Sequence, residues 1–176
     1  MCLRMLFAAL CVVPGVLIQP AAALESDAQQ PIHLEADWMS LDQITGLAHY
    51  KGNVRLTQGS IRVQADEIII HSKNDRVETM NMTGKTKPAT FQQQTDAGQL
   101  ARGQAMEIEF TARQSKFVFM DSAELEQGSN HIRSSRIDYN SKNNSFTAGP
   151  SKRKTNKGDK KASERVRIVI TPQEPQ

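Results

Sequence analysis

The chain has 176 residues and a formal net charge of +3, from 22 Lys and Arg against 19 Asp and Glu. Two cysteines are too few for a disulfide-stapled scaffold, so the fold must rest on a hydrophobic core, and this length suffices for one domain. The charge is divided: residues 24–149 carry 13 basic and 16 acidic side chains, a net of −3, and residues 150–176 carry 8 and 3, a net of +5.

Residues 1–23 read as a cleaved signal peptide. Arg4 precedes the apolar run LFAALCVVPGVLI (Leu6 to Ile18), and Pro20-Ala21-Ala22-Ala23 supplies the small residues of a cleavage site. The run is interrupted by Pro14-Gly15 and falls short of the roughly 20 residues of a membrane span. Cys2 and Cys11 both lie in it, and Leu10 before Cys11 is too bulky for a lipoprotein cleavage site. The mature chain then has no cysteine.

From Ala36 the sequence overlies itself without gaps at an offset of 69, so that 36–80 meets 105–149. GNVRLTQGS (Gly52 to Ser60) meets DSAELEQGS (Asp121 to Ser129), and Ser72-Lys73-Asn74 meets Ser141-Lys142-Asn143. KPATFQQQ (Lys87 to Gln94) falls midway and suggests an underlying unit of about 35 residues. Within the repeats apolar residues alternate: Val54 and Leu56; Ile61, Val63 and Ala65; Ile68 and Ile70; Ala89 and Phe91; Met106, Ile108 and Phe110; Ala123 and Leu125; Ile137 and Tyr139. Period two predicts strands with one buried face. Gly52-Asn53, Gly59-Ser60, Ser72 to Asp75, Gly128 to Asn130 and Asn143-Asn144 predict turns. The expectation is an all-β domain of a dozen or more short strands.

The last stretch divides into a basic loop over 150–164, a final strand RVRIVIT (Arg165 to Thr171) and a tail over 172–176. No aromatics interleave with its lysines, which argues against nucleic acid as a partner.

Chemistry is sparse. His33, His49, His71 and His131 are not spaced as metal ligands. Asp66-Glu67 flank a strand and read as a turn plus an exposed face. No nucleophile elbow or phosphate loop is present. No enzyme, metal or cofactor is expected. The inward alternation includes small residues (Ala36, Ala48, Ala65, Ala89, Ala123), which leaves a sealed core and an incompletely filled groove both open.

Three segments in this order carry a resemblance: QPIHLEAD (Gln30 to Asp37), YKGNVRLTQGSIRVQADEIII (Tyr50 to Ile70) and GKTKPATFQQ (Gly84 to Gln93). Following a signal peptide, they resemble the OstA-like (organic solvent tolerance) family of periplasmic lipopolysaccharide-transport proteins, over about residues 30–170. The resemblance implies a single elongated, slightly twisted β-jellyroll over 24–149 with an apolar interior groove that takes the acyl chains of lipopolysaccharide (lipid A). It implies head-to-tail homo-oligomers. An inner-membrane transporter partner (LptC-like) would meet the N-terminal edge, and an outer-membrane translocon (LptD-like) the C-terminal edge.

By motif match the lipid-facing residues are Ile32, Leu34, Phe91 and Phe110; by alternation, Val54, Leu56, Ile68, Ile70 and Ile108 join them. Edge pairing is expected at Ile32, His33 and Leu34, and at Phe146 and Thr147 or within 165–171. Two features depart from the family pattern: the basic stretch before the final strand, and Trp38, which overlies Glu107 at an outward position and receives no role. A membrane-anchored LptC-like component and a self-assembling β-structural protein are the alternatives.

Overall fold

Alternation becomes strand wherever the structure, a computed structural model, describes the chain, namely residues 27–95, 98–150 and 166–170. The signal-peptide expectation, the basic stretch beyond Pro150 and the tail lie outside the described residues. The first half builds β1 (His33–Glu35), β2 (Trp38–Asp42), β3 (Leu47–Gln58), β4 (Ile61–Lys73), β5 (Arg76–Thr83) and β6 (Ala89–Gln94). The second half builds β7 (Leu100–Ala105), β8 (Glu107–Thr111), β9 (Lys116–Gln127), β10 (Asn130–Asn140), β11 (Ser145–Gly149) and β12 (Arg167–Ile170). The fold is all-β and antiparallel throughout.

Not all strands are short. β3, β4, β9 and β10 run for 11 to 13 residues, because each belongs to two layers. Residues 47–51 of β3 pair with β2, and residues 55–57 pair with β1. On the far side of β4, residues 67–73 pair with β5 and residues 62–64 with β6. Layer I is therefore β2, β3, β4, β5, β8, β9, β10 and β11. Layer II is β1, β3, β4, β6, β7, β9, β10 and β12. The four long strands join the layers along one side. Along the other, the layers end in separate turns: 43–46, 74–75, 112–115 and 141–144 for layer I, 59–60 and 128–129 for layer II.

The corner corrects two expectations. Gly52-Asn53 is no chain reversal but a bulge inside β3, with both residues left-handed (φ 78° and 48°) and the pairing to β4 stepping from Lys51 to Val54. A Cβ on Gly52 would stand 2.4 Å from an Asp37 carboxylate oxygen, so glycine is required there. Asp66-Glu67 is likewise no turn, since β4 passes straight through it. The pair shifts the inward frame from Val63 and Ala65 to Ile68 and Ile70, as the strand leaves one layer for the other.

The repeat is structural, and its unit is 69 residues rather than 35. Trp38↔Lys51 recurs as Glu107↔Met120, Leu47↔His71 as Lys116↔Asn140, and His33↔Thr57 as Arg102↔Glu126. The corner recurs as Asp121-Ser122, also left-handed (φ 59° and 60°). Asp37 N–H donates to Gly52 O at 3.0 Å, and its repeat Met106 N–H donates to Asp121 O at 2.9 Å.

The middle octamer is β6, which flanks β4 on the side opposite β3, with Leu56 and Phe91 on either side of Val63. It resembles GNVRLTQG because both present the same face to the same neighbour. Its counterpart is β12: Phe91 stands opposite Val63, and Ile168 stands opposite Ile132, the repeat of Val63. β5 and β11 correspond with a shift of three residues. Met80 stands opposite Ile70, and Phe146 opposite its repeat Tyr139. A two-residue turn at Asn74-Asp75 gives way to a four-residue loop after Asn140, whose side chain accepts from the N–H groups of Lys142 and Asn143.

Candidate functional site

The inward faces of the two layers meet in one continuous apolar interior. Of the residues expected to line it, Val54, Leu56, Ile68, Ile70, Phe91 and Ile108 are buried there, and Ile32, Leu34 and Phe110 are half-buried against them. The expected small residues Ala48, Ala89 and Ala123 are buried too. Ala36 is exposed instead, just past the short β1.

The interior changes character along its length. In the first module it is aliphatic, with Ala48, Val54, Leu56, Val63, Ile68 and Ile70. In the second, Ala48 is replaced by Phe117 and Ile70 by Tyr139, and an aromatic cluster forms. Phe91 lies 4.3 Å from Phe117 and 5.9 Å from Phe119, ring centroid to centroid, and Phe110 lies 4.6 Å from Phe117. Tyr139 turns its hydroxyl to Asn144 Oδ1, 3.2 Å away at the layer I turns, which leaves its ring in the interior.

Gly103 makes room for this cluster. A Cβ there would meet the Phe119 ring at 2.4 Å, so Gly103→Val is expected to lower stability by about 1–3 kcal/mol in a denaturant titration. Tyr139 is interior as its alternation with Ile137 predicts, whereas Phe117 and Phe119 are interior residues beyond the expected set. Their signal was the alternation in KFVFM, and it stood out less because the repeat places Ala48 and Tyr50 at the matching positions.

The central seam closes where β5 pairs with β8 and β6 with β7. Met82 and Ile108 face each other across it, both fully buried. At the two ends the layers stop at open edges. Among the described residues, β1 and β2 have only β3 as a neighbour, and β11 and β12 have only β10. The expected edge residues divide accordingly: His33 and Leu34 in β1 with Ile32 just before it, and Phe146 and Thr147 in β11. The C-terminal edge among the described residues is double, since both expected segments, Phe146-Thr147 in β11 and the final strand, form edges, one in each layer.

Polar groups secure the periphery. The buried Asp27 carboxylate accepts from Ser60 N–H at 2.7 Å and Ser60 Oγ at 2.6 Å, which fastens the start of the described chain to the layer II turns. On the outer face of layer I, Glu67 accepts from His49 Nε2, with Lys85 Nζ 3.3 Å away. The His49 hydrogen bond holds the Glu67 carboxyl below its ordinary 4.5, against a smaller opposing effect of burial. The folded state thus binds this proton less readily than the unfolded state. The resulting stability is fully present above about pH 4.5 and is lost as pH falls through the lower folded value. Acid unfolding curves of Glu67→Gln are expected to be flatter than those of the parent chain in that window.

Among the described residues no group of three or more His, Cys, Asp or Glu side chains is placed to hold a metal ion. None of the described helices is long and apolar enough to cross a membrane. What the described residues offer is a continuous apolar interior between two layers, ending at edge strands.

A family model described as LptA/(LptD N-terminal domain) LPS transport protein matches residues 33–145. The lipopolysaccharide export system protein LptA of Escherichia coli (strain K12) is 33% identical over 120 residues, which is 68% of this chain. That match spans 65% of the Escherichia coli protein's own length. The export system protein LptH of Pseudomonas aeruginosa is 30% identical over 154 residues, 86% of this chain and 85% of that protein. The crystal structure of LptH, described as the LptA-homologous periplasmic component of a lipopolysaccharide transport device, superposes with a TM-score of 0.72 at 27% identity. It covers 84% of this chain and 99% of that one.

Proposed function

Because the chain belongs to the LptA/(LptD N-terminal domain) family of LPS transport proteins, we propose that it is a periplasmic carrier that holds the acyl chains of lipopolysaccharide between layers I and II. Copies stacked end to end form the bridge from inner to outer membrane. The observation that carries this reading is the interior, which is apolar without interruption from the β1/β2 end to the β11/β12 end, across both modules.

An acyl chain loses about 0.8 kcal/mol for each CH₂ returned to water, so a lipid with several chains needs continuous shielding to cross an aqueous compartment. A trough whose buried polar groups, Asp27, Gln93 and Thr95, gather near the layer II turns rather than along its length lets the lipid advance without a deep minimum. Because the layers are joined on one side only, they part along the other, and side chains such as Phe91 and Phe117 yield their contacts to the lipid. Ile32, Leu34, Val54, Leu56, Ile68, Ile70, Phe91, Ile108 and Phe110 are the contact residues of this reading.

The N-terminal edge, Ile32 to Leu34 together with β2, faces an inner-membrane partner or a preceding copy. The C-terminal edge, Phe146 and Thr147 together with β12, faces the next copy or an outer-membrane partner. The work of transport comes from elsewhere, since the chain contributes guidance and no chemistry.

Titration with purified lipopolysaccharide tests the reading. Saturable co-purification of lipid through size exclusion is expected, with smaller retention by Phe110→Asp at matched thermal stability. A folded chain that stays free of lipid at every ratio would contradict it.

A further inference from the structure

The inward face of layer II ends, beside its turns, in amides rather than hydrocarbon. The inward positions of β6 are Ala89, Phe91 and Gln93, and those at the end of β9 are Ala123, Leu125 and Gln127. Gln93 and Gln127 stand opposite Ala101 of β7 from its two sides. The three residues therefore share one face and one level. The two glutamines are two strands apart, about 10 Å, with only a methyl group between them. Gln58, the repeat of Gln127, is engaged otherwise: its amide donates to Ala28 O at 3.4 Å and Gln30 O at 3.1 Å.

Gln93 is 9% exposed, and Asp27 sets its orientation. A carboxylate only accepts, so the Gln93 amide nitrogen faces Asp27 Oδ2, 3.5 Å away, and the side-chain carbonyl is turned from it. Asp27 already takes two strong bonds from Ser60, so its own satisfaction does not depend on Gln93. Among the described residues neither Gln93 Oε1 nor Gln127 Oε1 has a hydrogen-bond partner, although both atoms are buried. An unpaired buried acceptor costs stability. Two of them on one level, beside an apolar interior, suit a ligand that brings its own donors.

We propose that Gln93 and Gln127 form a headgroup site, whose side-chain carbonyls accept hydrogen bonds from N–H or O–H donors at the polar end of an acyl chain. The site rests on the placement of acyl chains between the layers in the preceding section, and adds where the head of the lipid sits. The chain passes over Phe91 and Leu125, the next inward residues on the same strands. The head stays beside the layer II turns, on the side where the layers are not joined, so it reaches water while its chain does not. Hydrogen bonds made there hold the lipid in one orientation without placing a polar group in the path of the chains.

Two pairs of ligands that differ only in the donor test the site by calorimetric titration of the full chain. N-methyldecanamide is compared with N,N-dimethyldecanamide, and decanol with methyl decyl ether. The parent chain is expected to bind the donor of a pair about three- to tenfold more tightly than its methylated partner. Discrimination in the amide pair alone identifies an acyl amide as the head, and in the alcohol pair alone a hydroxyl. Gln93→Leu and Gln127→Leu are each expected to reduce the preference, and together to erase it. Gln93→Leu is also expected to melt at or above the parent temperature, since it removes an unmet acceptor and Asp27 keeps both Ser60 bonds. Equal binding within both pairs by the parent, a preference that survives both substitutions, or a Gln93→Leu melting temperature lower by more than a few degrees overturns the site and leaves the apolar interior standing. Failure of all four compounds to bind overturns the placement of acyl chains between the layers, and the site with it.

Discussion

Phe91→Ala is expected to lower the melting temperature by about 10–15 °C, and to make stability depend more steeply on lipid than in the parent chain. Phe91 is fully buried and belongs to β6, which pairs with β4 of the first module and β7 of the second. Its ring contacts Phe117, Phe119 and Tyr139, so truncation opens a cavity where the modules meet. Large aromatic deletions cost about 3–5 kcal/mol, and a domain of this size shifts by about 2–4 °C per kcal/mol. The lipid dependence separates a core role from a transport role. If acyl chains enter between the layers, they fill the vacated volume without displacing a ring and bind the variant more tightly. Their stabilisation grows with occupancy over Kd, so calorimetry with saturating lipopolysaccharide should show a larger rise for Phe91→Ala. Equal rises would place the lipid elsewhere.

Ile108→Asp and Met39→Asp are expected to differ completely, although the two positions are one position of the repeat. Ile108 faces Met82 across the central seam with no exposed surface, and a carboxylate there has neither water nor a cation to meet. Such burial costs several kcal/mol, a large share of the stability of a domain this size, and the chain should fail to accumulate as folded protein. Met39 sits on β2 at the N-terminal edge and is 51% exposed. Met39→Asp should keep its melting temperature within a few degrees and lose concentration-dependent assembly. Circular dichroism melts beside sedimentation distinguish the outcomes. Loss of fold in Met39→Asp would contradict its exposed place, and normal assembly by it would contradict stacking through the N-terminal edge.

Much of this was legible in the residues, and what was not has identifiable causes. Alternation located the interior set, since Val54, Leu56, Ile68 and Phe91 point inward by period two alone. The 69-residue offset marked the module because the strands that make it repeat in identical register. The corner was misread as turns, because Gly52-Asn53 carries the composition of a reversal. Only pairing shows that β3 continues through it, as the repeat Asp121-Ser122 does with less turn-like residues. The 35-residue unit was misread for a related reason: strands on either side of β4 share one pattern whatever their place in the repeat.

The central claim is that the interior between the two layers receives the acyl chains. Its most direct measurement places a photoactivatable side chain at Phe110, facing inward, and at Glu109, its outward neighbour on β8, and irradiates each with bound lipopolysaccharide. Labelling at position 110 with little at 109 is expected. Equal labelling, or labelling at 109 alone while lipid still co-purifies, would show that the lipid rides on the outer surface and that the interior is only a core.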